Sequence, residues 1–148
     1  TKTFLPVNFI LTLFLFFGKI VPFFYGTITK RTDEMMEKKI KKSVATLLAH
    51  IIKMDHRDLK KETPLFCQLM EMDFDCDPEE AEAFLKQSIQ EEYDLDEHIA
   101  IINQALCDDQ LSKMHILEQL NHIIYSDTIT PNDYEEFERI KKALLPSC

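Results

Sequence analysis

Apolar residues recur every three or four positions along most of the chain, the spacing that places them on one face of an α-helix. The clearest such stripe runs from Met36 to Ile52. No stretch alternates between apolar and polar residues for long enough to predict a β-strand. The pattern therefore predicts an all-α fold of six to seven helices.

Capping residues and prolines mark the helix starts, because a capping side chain accepts the first amide hydrogens and proline has none to lose. Such starts occur at Asp77-Pro78, with Glu80 closing a capping box, at Asp94, at Asp108 or Asp109, and at Thr130-Pro131. Thr63-Pro64 either begins the second helix or lies within one that began earlier. The last two helices are predicted to face the core with Leu111, Met114, Leu117, Leu120 and Ile124, and with Tyr134, Phe137, Ile140 and Leu144.

Residues 4–25 form a segment that is apolar except at Asn8, Thr12 and Lys19. As a helix it would extend ~33 Å, about the thickness of the hydrocarbon core of a bilayer. Basic residues are frequent after the segment and scarce before it, which by the positive-inside rule places the following domain in the cytoplasm. We therefore expect a membrane anchor at the cytoplasmic face of the inner membrane. Its anchoring residues are Phe4, Leu11, Phe14, Phe17, Ile20 and Phe24.

Two alternatives remain for the same segment. A cleaved signal peptide is weakly supported, because its charged region would hold a single lysine and no small-residue cleavage site is evident. Alternatively, residues 1–34 lie outside the natural product, and translation from Met35 or Met36 gives a soluble cytoplasmic protein. In every case the chain divides into a hydrophobic segment, 1–34, and a helical domain, 35–148.

Composition and charge exclude several classes of function. With two glycines the chain cannot supply a glycine-rich phosphate loop. Of its 17 basic and 26 acidic side chains, four and two lie in residues 1–34, which leaves a net charge of −11 for residues 35–148. Such a surface repels nucleic acid and suits cations or basic partners. The four cysteines contain no C-x-x-C pair that would indicate a zinc or redox site.

A short string occurs twice: HIIKMD at residues 50–55 and HIIYSD at 122–127 agree at four of six positions. Each copy precedes a polar turn and an amphipathic helix, so a helix–turn–helix unit used twice is the simplest interpretation. With DPEEAEAFL at residues 77–85, this pattern resembles the TerB-like family of tellurite-resistance proteins and the related N-terminal domain of a membrane-anchored DnaJ-like co-chaperone. The resemblance covers residues 38–145 and implies a pseudo-duplicated helical bundle.

In that family the turn reads close to D-G-x-I-x-x-x-E. The residues of this sequence that match it are Asp55, Glu62, Asp127, Ile129 and Asp133. His56 and Thr128 stand where glycine is usual, and the second turn is one residue short of the pattern.

The resemblance implies a non-enzymatic interaction or scaffolding module of a bacterial stress or tellurite-resistance system, with an unidentified protein partner and no cofactor. No strand-elbow serine, H-E-x-x-H or His-Pro-Asp motif is present, so we do not expect an enzyme. The alternative is a domain that binds or senses a divalent cation, because carboxylate oxygens suit Mg²⁺, Ca²⁺ or Mn²⁺. Its ligands would be Asp55, Glu62, Asp127 and Asp133. A simpler interpretation is that these four acids stabilise their own turns and helix starts.

Overall fold

The structure, a computed structural model, describes residues 30–146, with side chains from residue 34 onwards. This part of the chain forms six α-helices and no β-strand, which confirms the all-α prediction. The helices are α1 (Lys30–Met54), α2 (Leu59–Phe74), α3 (Pro78–Gln90), α4 (Leu95–Ala105), α5 (Gln110–Tyr125) and α6 (Pro131–Leu144). None of the six is long and apolar enough to span a bilayer. The predicted anchoring residues lie outside the described residues.

Helix α1 is the centre of the bundle. Its residues 43–52 are all buried, so this stretch is surrounded by protein on every side. It packs against α2, α3, α4 and α5, while α6 packs against α4 and α5. Because α1 begins at Lys30, it continues across the boundary predicted between residues 34 and 35. The division of the chain at that boundary stays a prediction.

The predicted helix starts are mostly confirmed. The side chains of four residues accept hydrogen bonds from backbone amides of the following helix: Asp77, Asp94, Asp109 and Thr130. The second helix begins at Leu59 with Asp58 as its cap, so Pro64 lies inside it. The capping box at Glu80 is wrong, because its carboxylate instead contacts the Lys41 ammonium at 3.0 Å and the Cys76 thiol at 3.2 Å.

The predicted core of the last two helices is partly wrong. Leu111, Met114 and Tyr134 are 59%, 55% and 62% exposed. Six residues along a helix correspond to a rotation of roughly 600°, so Leu111 lies about a third of a turn away from Leu117 and outside the buried stripe. The other predicted core residues of these helices are buried, apart from the half-buried Phe137: Leu117, Leu120, Ile124, Ile140 and Leu144.

The turn after α1 explains why the family favours glycine there. The amide of His56 donates to the Lys53 carbonyl, and the amide of Arg57 donates to the Ile52 carbonyl, the two bonds of a Schellman motif. This motif needs a left-handed residue, and His56 has a φ of 49°. Thr128, at the other position where glycine is usual, does not have a positive φ. The two turns are therefore built differently.

Replacing His56 by glycine is expected to stabilise the domain, because a side chain with a Cβ costs about 1 kcal/mol in the left-handed region. His56 is exposed, so little packing is lost. Chemical denaturation of the full chain followed by circular dichroism should show the His56→Gly variant unfolding at higher denaturant. The matched change Thr128→Gly is expected to stabilise nothing. An unchanged or lower midpoint for His56→Gly would contradict this account of the turn.

Candidate functional site

The centre of the site is Arg57, which follows the left-handed residue and is buried. Its side chain is only 2% exposed. A buried guanidinium is costly unless its donors are matched by acceptors and its charge is balanced. The Schellman turn directs the chain after α1 so that this side chain enters the space between the two helix–turn–helix units.

The guanidinium donates hydrogen bonds to backbone carbonyls at the end of α5. Arg57 Nη1 donates to the Ile123 carbonyl at 2.9 Å, and Nη2 donates to the Ile124 carbonyl at 3.1 Å. Nη2 also lies 3.5 Å from the Thr128 carbonyl. The last carbonyls of a helix have no partner within the helix, and a cation there interacts favourably with the helix dipole. Arg57 therefore acts as the cap of a helix that lies far away in sequence.

Three carboxylates surround the same guanidinium. Asp133 Oδ2 accepts from Nη2 at 3.0 Å, Glu62 Oε1 lies 3.5 Å from Nη1, and Asp55 Oδ2 lies 3.7 Å from Nε. The carboxylates of Glu62 and Asp133 are 1% and 2% exposed. We call the four side chains Arg57, Asp55, Glu62 and Asp133 the Arg57 cluster.

Two hydroxyl groups extend the cluster across the two turns. Ser126 Oγ lies 2.9 and 3.0 Å from the two carboxylate oxygens of Glu62. Thr130 Oγ1 donates to Asp55 Oδ1 at 3.2 Å. Asp133 also accepts the Thr130 amide at 2.9 Å, which completes a capping box at the start of α6. Each turn therefore supplies hydrogen bonds that the other turn needs.

The predicted cation ligands are thus partly brought together. Asp55, Glu62 and Asp133 meet at Arg57, whereas Asp127 accepts the Thr128 amide at 2.8 Å and lies apart from the cluster. Within residues 30–146 no group of three or more His, Cys, Asp or Glu side chains is placed to hold a metal ion. In the Arg57 cluster the positive charge between the carboxylates is a guanidinium, so these acids already have a counter-charge.

Arg57 was not among the residues that the sequence singled out. The available signal was a basic residue directly after the position where the family has glycine, between two acidic residues of the motif. A sequence pattern cannot distinguish an exposed turn arginine from a buried one, because the partners of Arg57 on α5 and α6 lie 66 to 76 residues away.

Comparison with known proteins identifies a family for the chain. Residues 41–143 match the family model described as tellurite resistance protein TerB. The chain belongs to the TerB family. No curated protein and no solved structure matches it. All members of the Arg57 cluster, and the carbonyls that Arg57 caps, lie inside the TerB region, residues 41–143.

A second polar cluster of the TerB region lies around His50. Its Nδ1 lies 2.7 Å from Tyr93 Oη and its Nε2 lies 2.9 Å from Glu136 Oε2. The three side chains come from α1, the loop between α3 and α4, and α6. Burial, with Glu136 and Glu92 nearby, raises the pKa of Tyr93 to about 12. The phenol therefore keeps its proton at neutral pH and is a hydrogen-bonding group.

The remaining histidines on described helices have other neighbours. His115 Nε2 lies 2.8 Å from Asp73 Oδ1, so this side chain joins α5 to α2. His122, two turns further along α5, is exposed. His98 Nδ1 lies 3.0 Å from Ser43 Oγ, which joins α4 to α1. Each of these contacts links helices of the bundle.

Removing the Arg57 charge is expected to destabilise the fold strongly, because two buried carboxylates and the carbonyls of α5 would lose their partner. Arg57→Met should lower the free energy of unfolding by roughly 3–5 kcal/mol. Arg57→Lys should cost less, since an ammonium keeps the charge but lacks the planar fork of donors. Urea denaturation of the full chain measures both.

The control for this prediction is Arg139→Met. Arg139 is 46% exposed and pairs with Asp96 at 3.0 Å, so its removal should cost at most about 1 kcal/mol. Equal losses of stability for the Arg57 and Arg139 variants would contradict the role given to the Arg57 cluster.

Acid is expected to destabilise the TerB region through His98. Burial is the main cause that lowers the pKa of His98 below its ordinary 6.5, so the unfolded chain binds this proton more readily than the folded one. The stability contributed by neutral His98 is present above about pH 6.5 and is lost as the pH falls through the lower folded pKa. His98→Gln should flatten the fall in melting temperature below pH 6.5, whereas replacing the exposed His122 by Gln should not. Identical pH profiles for the two variants would contradict the prediction.

Proposed function

We propose that the chain is a non-enzymatic interaction module, tethered to the cytoplasmic face of the inner membrane, in a bacterial stress or tellurite-resistance system. The observation that carries the proposal is the TerB family match over residues 41–143. The acidic charge of residues 35–148, −11 in total, supports a partner with a basic surface. The partner is a protein and not a nucleic acid, whose phosphates such a surface would repel.

The chemistry of the described side chains supports a role without catalysis. Burial, followed by the hydrogen bond to Glu80, raises the pKa of Cys76 to about 12, so this thiol is not a nucleophile at neutral pH. Burial also raises the pKa of Cys67. The Arg57 and His50 clusters use their polar atoms to join helices. Their arrangement is typical of a structural framework rather than of groups that await a substrate.

The apolar segment at residues 4–25 supports a tether. Six basic residues follow the segment: Lys30, Arg31, Lys38, Lys39, Lys41 and Lys42. The positive-inside rule then places the TerB region on the cytoplasmic side.

Fractionation of bacteria that produce the full chain tests the tether. The chain is expected to sediment with membranes and to resist extraction by high salt. Leu11→Asp combined with Phe14→Asp should release it, because two charges at the centre of the segment make insertion costly by several kcal/mol. The matched control is Leu111→Asp with Met114→Asp, the same chemistry at exposed positions of α5, which should leave the chain in the membrane. A soluble wild-type chain, or a double variant that still sediments, would contradict the tether.

Two further measurements test the side of the membrane and the biological role. Cys107 is exposed, so a membrane-impermeant maleimide should label it in a Cys148→Ser chain only after the cells are permeabilised. Labelling in intact cells would contradict a cytoplasmic location.

Deleting the gene should lower growth in tellurite or under another stress. Growth should be restored by the wild-type chain but not by the Leu11→Asp, Phe14→Asp variant. Unchanged growth after deletion would overturn the proposed role.

A further inference from the structure

A polar cleft of about 350 Å³ opens between α1, the end of α3, the following loop and the start of α4. Residues of the cleft include Phe84 and Tyr93, which supply aromatic surface, and Thr46 from the central helix. The volume falls at the lower end of the range for small-ligand sites. We call it the Tyr93 cleft.

Carboxylates dominate the charge of the Tyr93 cleft. Glu91, Glu92, Asp94 and Glu97 line it, and the lysine that lines it is Lys42. Burial lowers the pKa of His98, which also lines the cleft, so at neutral pH that ring adds little positive charge. The cleft therefore attracts a cation.

Some of the polar groups that line the cleft have partners within the protein, and others do not. Asp94 caps α4, and Glu91 accepts a hydrogen bond from Gln87. Glu92 and Glu97 make no side-chain hydrogen bond or ion pair with any residue that the structure describes. Ser88 also lines the cleft, is only 9% exposed, and its hydroxyl has no hydrogen-bond partner among residues 34–146. The hydroxyl of the largely buried Ser88, which faces the cleft, and the exposed carboxylates of Glu92 and Glu97 are therefore acceptors that receive no donor from residues 34–146.

The loop beside the cleft already holds one ammonium group of this chain. Lys53 Nζ donates to the Glu91 carbonyl at 3.1 Å, lies 3.5 Å from the Ser88 carbonyl, and is 4.9 Å from the centroid of the Tyr93 ring. Carbonyl oxygens and an aromatic face are the groups that stabilise an alkylammonium ion with its apolar stem. Lys53 uses these two carbonyls, so an ammonium group from outside would be held by the carboxylates and the hydroxyl that line the cleft.

We propose that the Tyr93 cleft binds the ammonium group of a lysine side chain in a basic segment of the partner protein. The carboxylates of Glu92 and Glu97 and the hydroxyl of Ser88 accept its hydrogens, and Phe84 and Tyr93 contact its alkyl stem. This inference rests on the proposed function, because it names the chemistry by which the interaction module recognises its partner.

Titration of the isotope-labelled full chain in uncharged detergent micelles tests the proposal by nuclear magnetic resonance. The probe is a capped Gly-Ser-Lys-Ser-Gly peptide, and the matched peptide carries norleucine in place of lysine. The lysine peptide is expected to shift the amide signals of residues 88–98, and added salt should weaken its binding. The norleucine peptide is expected to shift none. Equal shifts for the two peptides, or shifts confined to other residues, would overturn the proposal.

Variants of the chain distinguish binding at the cleft from attraction to the acidic surface in general. Glu92→Gln with Glu97→Gln should weaken binding of the lysine peptide roughly fivefold, and Ser88→Ala by a similar factor. The control is Glu82→Gln with Glu79→Gln, the same charge change at exposed positions of α3 that do not line the cleft. Equal weakening by the control pair, or none by the cleft variants, overturns the inference, as does binding of free spermidine without binding of the peptide.

The same variants distinguish this inference from the proposed function. If the peptide fails to bind while the chain still sediments with membranes and supports growth in tellurite, the cleft inference is wrong and the proposed function stands. If the peptide binds as expected while deletion leaves growth unchanged, the cleft exists but the proposed role is wrong.

Discussion

A buried positive charge needs hydrogen-bond acceptors and negative charge around it, and this requirement organises the protein around Arg57. The guanidinium has donors that point to the end of α5, to the start of α6 and to Glu62 in the first turn of α2. A charge placed there stabilises the fold only if all these elements are present at once. Because the donors of guanidinium are planar and fixed in direction, the cluster also fixes the geometry with which the two turns meet.

The Arg57 cluster changes the interpretation of the acidic residues in the turns. In the sequence they are typical of a site for a hard divalent cation, and in the structure three of them surround a cation that the chain itself provides. The positive charge among these acids is thereby supplied from within the TerB region. Two acidic groups without a side-chain partner in the described part of the chain, Glu92 and Glu97, lie elsewhere, in the cleft between α3 and α4, and they carry the inference about a partner.

Much of the fold could be predicted from the sequence because its determinants are local. The spacing of apolar residues in α1 and the caps at Asp77, Asp94 and Thr130 depend on neighbours a few residues away. The predictions failed where the deciding contact was remote. Leu111 and Tyr134 are apolar, but no neighbouring helix covers them, and only tertiary packing decides that.

The candidate site was predicted less well for the same reason. The acids of the two turns could be found from the repeated string and the motif of the family, but their shared partner could not, since Arg57 acquires its role only when α5 and α6 lie against the first turn. The left-handed conformation of His56 had only an indirect signal, the glycine that the family has at this position, because histidine itself gives none.

A double-mutant cycle between Arg57 and Asp133 tests the central claim most directly. The free energies of unfolding of wild type, Arg57→Met, Asp133→Asn and the double variant are compared by urea denaturation. If the buried pair joins the two units, the effects of the single changes are strongly non-additive, with a coupling energy of about 1.5–3 kcal/mol. Effects that add to within about 0.5 kcal/mol would mean that the two groups stabilise the fold independently, and would contradict the account.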